Sequence, residues 1–162
     1  MTLAPLLSAP LAIQVHVFTV VPAAVLGGYL LLARKGTARH RLLGRIWIAL
    51  MVVTALSSFF IHAIRMIGPF SPIHLLSLIT LAGCAQAVRA ARRRDLPAHR
   101  RAVIGTYAGG IGIAGLFTLL PGRIMHAVFF DGSGSLLPVA VLAGALLAAF
   151  AMRRGSRLKI GS

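Results

Sequence analysis

Acidic side chains are nearly missing from this chain. Of 162 residues only Asp95 and Asp131 are acidic, against 17 lysines and arginines. That scarcity excludes a calcium or magnesium site, which needs several oxygen ligands, and it excludes a proton pump built on intramembrane carboxylates. Cysteine is equally scarce. Cys84 alone allows neither an intrachain disulfide nor a cysteine-based metal knuckle, and within its apolar run it reads as a small packing residue. No Cys-x-x-Cys-His signal for covalent haem attachment occurs. The opening stretch, MTLAPLLSAP, lacks a basic n-region, so no signal peptide is expected.

What the chain has in abundance is apolar residues. They make up 58% of it, and the mean hydropathy is +0.90, far beyond an ordinary soluble domain. The basic residues sit in short runs between apolar stretches and do not interleave with aromatics across a polar surface, which argues against nucleic acid as a partner. Five apolar segments can be marked, at about 11–33, 43–64, 72–88, 102–128 and 136–152. A helix needs about 20 residues to cross a hydrocarbon core of about 30 Å. The expected fold is therefore all-α: a polytopic transmembrane bundle of five helices, forming one integral membrane domain over residues 1–162.

Charge sets the expected orientation. Arg34, Lys35, Arg39, Arg41 and Arg45 surround the first connection, and Arg89, Arg92, Arg93, Arg94, Arg100 and Arg101 surround the third. Arg153, Arg154, Arg157 and Lys159 form a basic tail over 153–162. With five alternating helices these 15 residues share one side, which the positive-inside rule makes the cytoplasm. The expectation is a multi-pass protein of the bacterial inner (plasma) membrane, with its N-terminus outside and its C-terminus in the cytoplasm. Only Arg65 and Arg123 break the pattern, and both fall toward the outer ends of outward-running helices.

The histidines carry a repeat. His16 to His40 is 24 residues and His74 to His99 is 25; His40 to Arg65 is 25 and His99 to Arg123 is 24. Each half reads as an inward helix opening with a histidine, a basic turn ending in ARHR or PAHR, and an outward helix closing with an arginine and a histidine. The first four helices are thus expected as two parallel repeated hairpins, 11–67 and 72–128, related by an axis along the membrane normal. The segment at 136–152 is an additional transmembrane helix without counterpart.

At 1.5 Å per residue, His16 lies about 27 Å from Arg34, His62 about 26 Å from Arg45 and His74 about 22 Å from Arg89. These three share one outer layer. His126 would overshoot it unless tilt or a kink at Pro121 brings it back. A single interfacial histidine is an ordinary interhelical anchor; four histidines and two arginines at one depth ask for a common reason, because each buried polar group needs a partner. Imidazoles ligate haem iron or a transition metal, for which His16, His62 and His74 are the candidate ligands. Arg65 and Arg123 stand three residues from His62 and His126, in HAIR and RIMH, and can clamp haem propionates or another anion.

His40 and His99 form a second pair at the basic side, read structurally as turn-ending hydrogen-bonders and functionally as an inner haem or quinone site. Gly44 permits close approach beside His40, and Gly105/Gly109 form a small-xxx-small face. Trp47 and Tyr107 read as aromatic-belt anchors, with Tyr107 also a quinone or propionate partner. Pro22 is expected to kink the first helix.

His16, HRLLGR with His40 and Gly44, and the long outward helix opened by His99 resemble the bacterial membrane proteins grouped as domain of unknown function 2306. The resemblance runs over about residues 11–130 and departs at AHRRAVIGTY, which lacks the tryptophan associated with the second turn of that family. It implies membrane topology and no activity. A looser likeness, at the level of fold only, is to four-helix b-type cytochromes, where paired histidines hold haem.

Two function classes follow. One is a small electron-transfer protein holding haem b or a transition metal at the outer cluster, with the lipid bilayer, a quinone or redox partner and a second copy of the chain as partners. The other is a noncatalytic membrane scaffold or a small-solute or anion permeation component, whose histidines and arginines form interhelical bonds or an anion path.

Overall fold

The computed structural model describes residues 3–61 and 72–130. All regular structure among the described residues is helical. The chain divides into two compact units, Leu6–Gly115 and a second made of Met1–Pro5 with Leu116–Ser162. After a single turn, α1 (Ala4–Leu7), the first unit holds α2 (Leu11–Leu32), α3 (Ala38–Ser58), α4 (Pro72–Arg92) and α5 (Leu96–Tyr107). α5 runs on into a π-helical stretch, Ala108–Ile113, and then into α6 (Ala114–Thr118). The remaining helix is α7 (Ile124–Phe130), in the second unit.

Three of these helices, Leu11–Leu32, Ala38–Ser58 and His74–Arg92, are long and apolar enough to cross a membrane. They correspond to the first three segments marked from sequence. The fourth, 102–128, does not form one uninterrupted α-helix. Its glycines, Gly109, Gly110 and Gly112, fall in the π-helical stretch, where low backbone cost tolerates the wider turn. The helix then stops, because Leu120-Pro121-Gly122-Arg123 makes a tight turn: proline presets the first corner, Gly122 takes φ +79°, and the Arg123 N–H donates to the Leu120 carbonyl at 3.3 Å. The fifth segment, 136–152, and the basic tail lie outside the described residues. Pro22, by contrast, leaves α2 continuous from Leu11 to Leu32.

The caps explain the hairpin ends. Thr37 Oγ1 accepts the His40 N–H at 3.0 Å and starts α3; Asp95, through Oδ1, accepts the Ala98 N–H at 2.9 Å and starts α5, with Pro97 in its first turn. Lys35 Nζ reaches the Leu31 carbonyl at the end of α2, and Arg89 Nε reaches the Ala85 carbonyl near the end of α4, each placing a cation where the helix dipole is negative. The first connection takes its left-handed residue at Gly36 (φ +81°), the second at Arg94 (φ 58°).

The four long helices pack in a ring: α2 on α3, α3 on α4, α4 on α5 and α5 back on α2. α2 and α4 therefore face one another diagonally, as do α3 and α5. Lipid-facing positions carry large apolar groups, among them Leu11, Val25 and Leu32 on α2, each more than 70% exposed. The centre is filled by Ala23, Leu30, Trp47, Met51 and Cys84. Trp47 and Tyr107 are core residues here and not belt anchors. Trp47 is 2% exposed and donates from Nε1 to the Ala23 carbonyl at 3.0 Å, while Tyr107 donates to the Ala24 carbonyl at 2.9 Å. A Cβ on Gly27 would stand 2.5 Å from Trp47 Nε1 and 2.6 Å from the Tyr107 ring; both rings occupy the space that glycine leaves, which is why they turn inward. Close approach thus occurs at Gly27, Gly83 (against Thr106) and Gly110 (against Thr80 and Met51), whereas Gly44, Gly105 and Gly109 have no neighbouring atom within 4 Å of a Cβ.

Candidate functional site

The bundle carries histidines in two layers with the apolar core between them. At the end remote from the arginines, His16 on α2 places Nδ1 3.0 Å from the Thr54 carbonyl of α3. A carbonyl only accepts, so Nδ1 carries the proton and Nε2 of the neutral ring carries the lone pair. Ser57 Oγ stands 3.3 Å from the same Nδ1 and donates to the Thr54 carbonyl at 2.9 Å. Thr54 Oγ1 donates to Thr19 Oγ1 at 2.8 Å, one turn along α2 from His16.

His74 stands across the bundle on α4. It is 7% exposed, and its ring stacks on Phe59, just past the end of α3, with centroids 5.7 Å apart. One turn further along α4, Ser77 bonds to Ser58 of α3. The two histidines thus meet the same end of α3, one from α2 and one from α4, and four hydroxyls there, Thr54, Ser57, Ser58 and Ser77, are buried together with His74. The hydroxyls are hydrogen-bonding neighbours that sequence reading missed. A signal was available: Thr19 follows His16 by three residues and Ser77 follows His74 by three, the same offset on α2 and α4, which puts hydroxyl and imidazole on one face.

The second layer lies at the basic end. His99, on α5, donates from Nδ1 to the Ala87 carbonyl of α4 at 2.8 Å. His40, on the diagonal helix α3, has its Nδ1 buried without a hydrogen-bond partner. Along α4 the two layers are 13 residues apart, His74 to Ala87, or about 20 Å. All eleven basic residues of the two connections, from Arg34 to Arg45 and from Arg89 to Arg101, are exposed. Asp95, the acid among them, is engaged as a helix cap.

RIMH lies in the second unit. Arg123 holds its guanidinium 4.7 Å from the centre of the Phe117 ring, a cation–π contact, and His126 is buried on α7. His62 and Arg65, the HAIR pair, lie outside the described residues, so two members of the His16/His62/His74 metal set, His16 and His74, are described. Among the described residues no group of three histidine, cysteine or acidic side chains is arranged to hold a metal ion.

The model of the family described as "Predicted membrane protein (DUF2306)" matches residues 13–153. The chain belongs to this family. The DUF2306 match takes in His16, His40, His74 and His99, and so spans both layers. No curated protein and no solved structure matches the chain. Membership in DUF2306 carries the membrane assignment and leaves the chemistry to the site.

Proposed function

We propose that this DUF2306 protein is a membrane electron-transfer protein that binds haem b at the His16/His74 layer. The observation that carries the reading is the cross-helix bond from Nδ1 of His16 to the Thr54 carbonyl. Metal-ligating histidines characteristically donate their second ring nitrogen to such an acceptor, which fixes the tautomer and holds the ring. His99 repeats the device at the other layer with the Ala87 carbonyl. Haem is favoured over a bare transition metal because two imidazoles complete its iron, the macrocycle supplying the other donors; a bare ion needs at least a third protein ligand.

When bound, haem supplies reversible one-electron chemistry. The chain's own residues hold it. His16 and His74 provide ligands from diagonal helices, Thr54 and Ser57 fix the His16 ring, and Phe59 lies against His74. The basic end faces the cytoplasm by the positive-inside rule, putting the His16/His74 layer outside in a bacterial plasma membrane. A reporter fused after Ser162 would then be cytoplasmic.

The deciding experiment is an absorption spectrum with haem extraction and metal analysis on protein purified in mild detergent. The expected result is stoichiometric haem b, abolished in His16→Ala and His74→Ala. A second reading, a cofactor-free scaffold or permeation component, draws on the hydroxyl network: Thr19, Ser57 and Ser58 all bond to carbonyls of their own helices, and Thr54 joins α3 to α2, as interhelical glue does. Colourless protein without stoichiometric metal, and with unchanged folding in both histidine variants, favours that reading and sinks the first.

A further inference from the structure

The layer at the basic end holds two features that the packing of the protein does not account for. The first is Nδ1 of His40, a polar atom removed from solvent without a hydrogen-bond partner. Such an atom keeps its full desolvation penalty unless something outside the protein meets it. The second is Gly44, one helical turn deeper on the same face of α3. It is half-buried, yet a Cβ there would touch nothing within 4 Å. At Gly27, Gly83 and Gly110 a neighbouring side chain uses the space that glycine leaves. At Gly44 none does. The backbone start of α3 is not what is open here, since the His40 N–H is already taken by Thr37.

A ligand suited to both features needs an oxygen that accepts from an imidazole N–H and a flat body that lies against a helix turn without side chain. It must also reach a position just inside the headgroup zone. The cations around it, Lys35, Arg39, Arg41 and Arg45, are exposed and available to headgroup phosphates, so the acceptor beneath them is better neutral. Two membrane molecules offer a neutral carbonyl oxygen there, a quinone ring and a phospholipid ester. The clearance at Gly44 favours the flat ring.

We infer that His40 and Gly44 form the head-group site of a membrane-dissolved quinone, with Nδ1–H of His40 donating to a ring carbonyl and the ring lying over Gly44. The site deepens the electron-transfer reading by naming the class of redox partner. Binding itself, however, does not depend on haem.

Trp47 makes the test direct. It is the only tryptophan in the chain, two turns deeper on α3 than His40, about 10 Å away, and quinones quench indole fluorescence at such range. Full-length protein in phosphatidylcholine nanodiscs is titrated with short-chain benzoquinone and naphthoquinone analogues. The expected result is saturable quenching, with the dissociation constant raised about tenfold or more in His40→Leu and in Gly44→Leu, a loss of about 1.4 kcal/mol. Gly105→Leu, at an open glycine of the other hairpin, should leave it unchanged. Circular dichroism establishes that each variant is folded.

Quenching that rises linearly with quinone and with equal slope in wild type and both α3 variants is bulk partitioning, and overturns the proposal. So does saturation seen in detergent, absent in phosphatidylcholine nanodiscs, and accompanied by tightly held phospholipid that His40→Leu loses; the occupant is then a lipid ester. Colourless protein that binds quinone saturably sinks the haem reading and keeps this one, and red protein without saturable binding does the reverse.

Discussion

In the α2/α3 hairpin a glycine takes the left-handed turn residue, at Gly36, and the second helix runs unbroken for 21 residues. In the α4/α5 hairpin an arginine takes that role, at Arg94, and the second helix is α-helical for only 12 residues before it widens into a π turn. The imidazole bonds differ too. The first hairpin fixes the histidine of its first helix, His16, against its second helix; the second fixes the histidine of its second helix, His99, against its first. Equal spacing in sequence thus yields one uninterrupted and one interrupted arm. The difference is set by where small residues are used to admit a neighbour and where they only loosen the backbone.

The most severe break is expected at Trp47. Truncation to alanine should cost about 3–5 kcal/mol, because it empties the core and leaves the Ala23 carbonyl without its indole donor. Tyr107→Phe, on the second hairpin, removes only the hydroxyl and should cost about 1 kcal/mol. Unfolding in mixed micelles followed by far-ultraviolet circular dichroism measures both. Equal losses would mean that the first hairpin does not dominate the centre.

Gly27→Ala comes next, at about 1–3 kcal/mol, since the new methyl meets the Trp47 and Tyr107 rings. The same change at Gly105, where nothing stands within 4 Å, should stabilise by up to about 1 kcal/mol through helix propensity. Melting temperatures moving in opposite directions would sharpen the contrast; a fall at both sites would remove it.

The caps are expected to be alike where the turns are not. Thr37→Ala and Asp95→Ala should each lose about 1 kcal/mol. Arg94→Gly should gain up to about 1 kcal/mol by relieving a left-handed residue with a side chain, and Gly36→Ala should lose about as much. The smallest effect is reserved for Gly44→Ala, within about 1 kcal/mol of wild type and on the stabilising side. A clear loss of stability there would show that the space beside His40 is needed by the protein itself.

The helical class, the membrane character and the basic connections were legible from composition and spacing, because charge clusters mark membrane borders and apolar runs of spanning length mark the helices between them. The inward turn of Trp47 and Tyr107 was not. A lipid-facing and a core-facing aromatic look alike when every side of the helix is apolar, and only the match of ring to Gly27 decides it. The break at Pro121 could be read as a kink, but the full turn also needed Gly122 in the left-handed region. The hydroxyls beside the histidines were visible only as an offset of three, easily overlooked because Ser and Thr are common in membrane helices.

The exposed cations of the two connections have a further consequence. Eleven positive groups crowd one end, and the carboxylate among them is spent on a backbone N–H. Their mutual repulsion can be neutralised only by the surroundings, within a screening length of about 8 Å at physiological ionic strength. In uncharged micelles, moderate salt should therefore raise the melting temperature. In bilayers rich in anionic lipid, where the headgroups already act as counterions, the same salt should lower it or leave it unmoved. For this protein the choice of amphiphile is a thermodynamic variable of the fold.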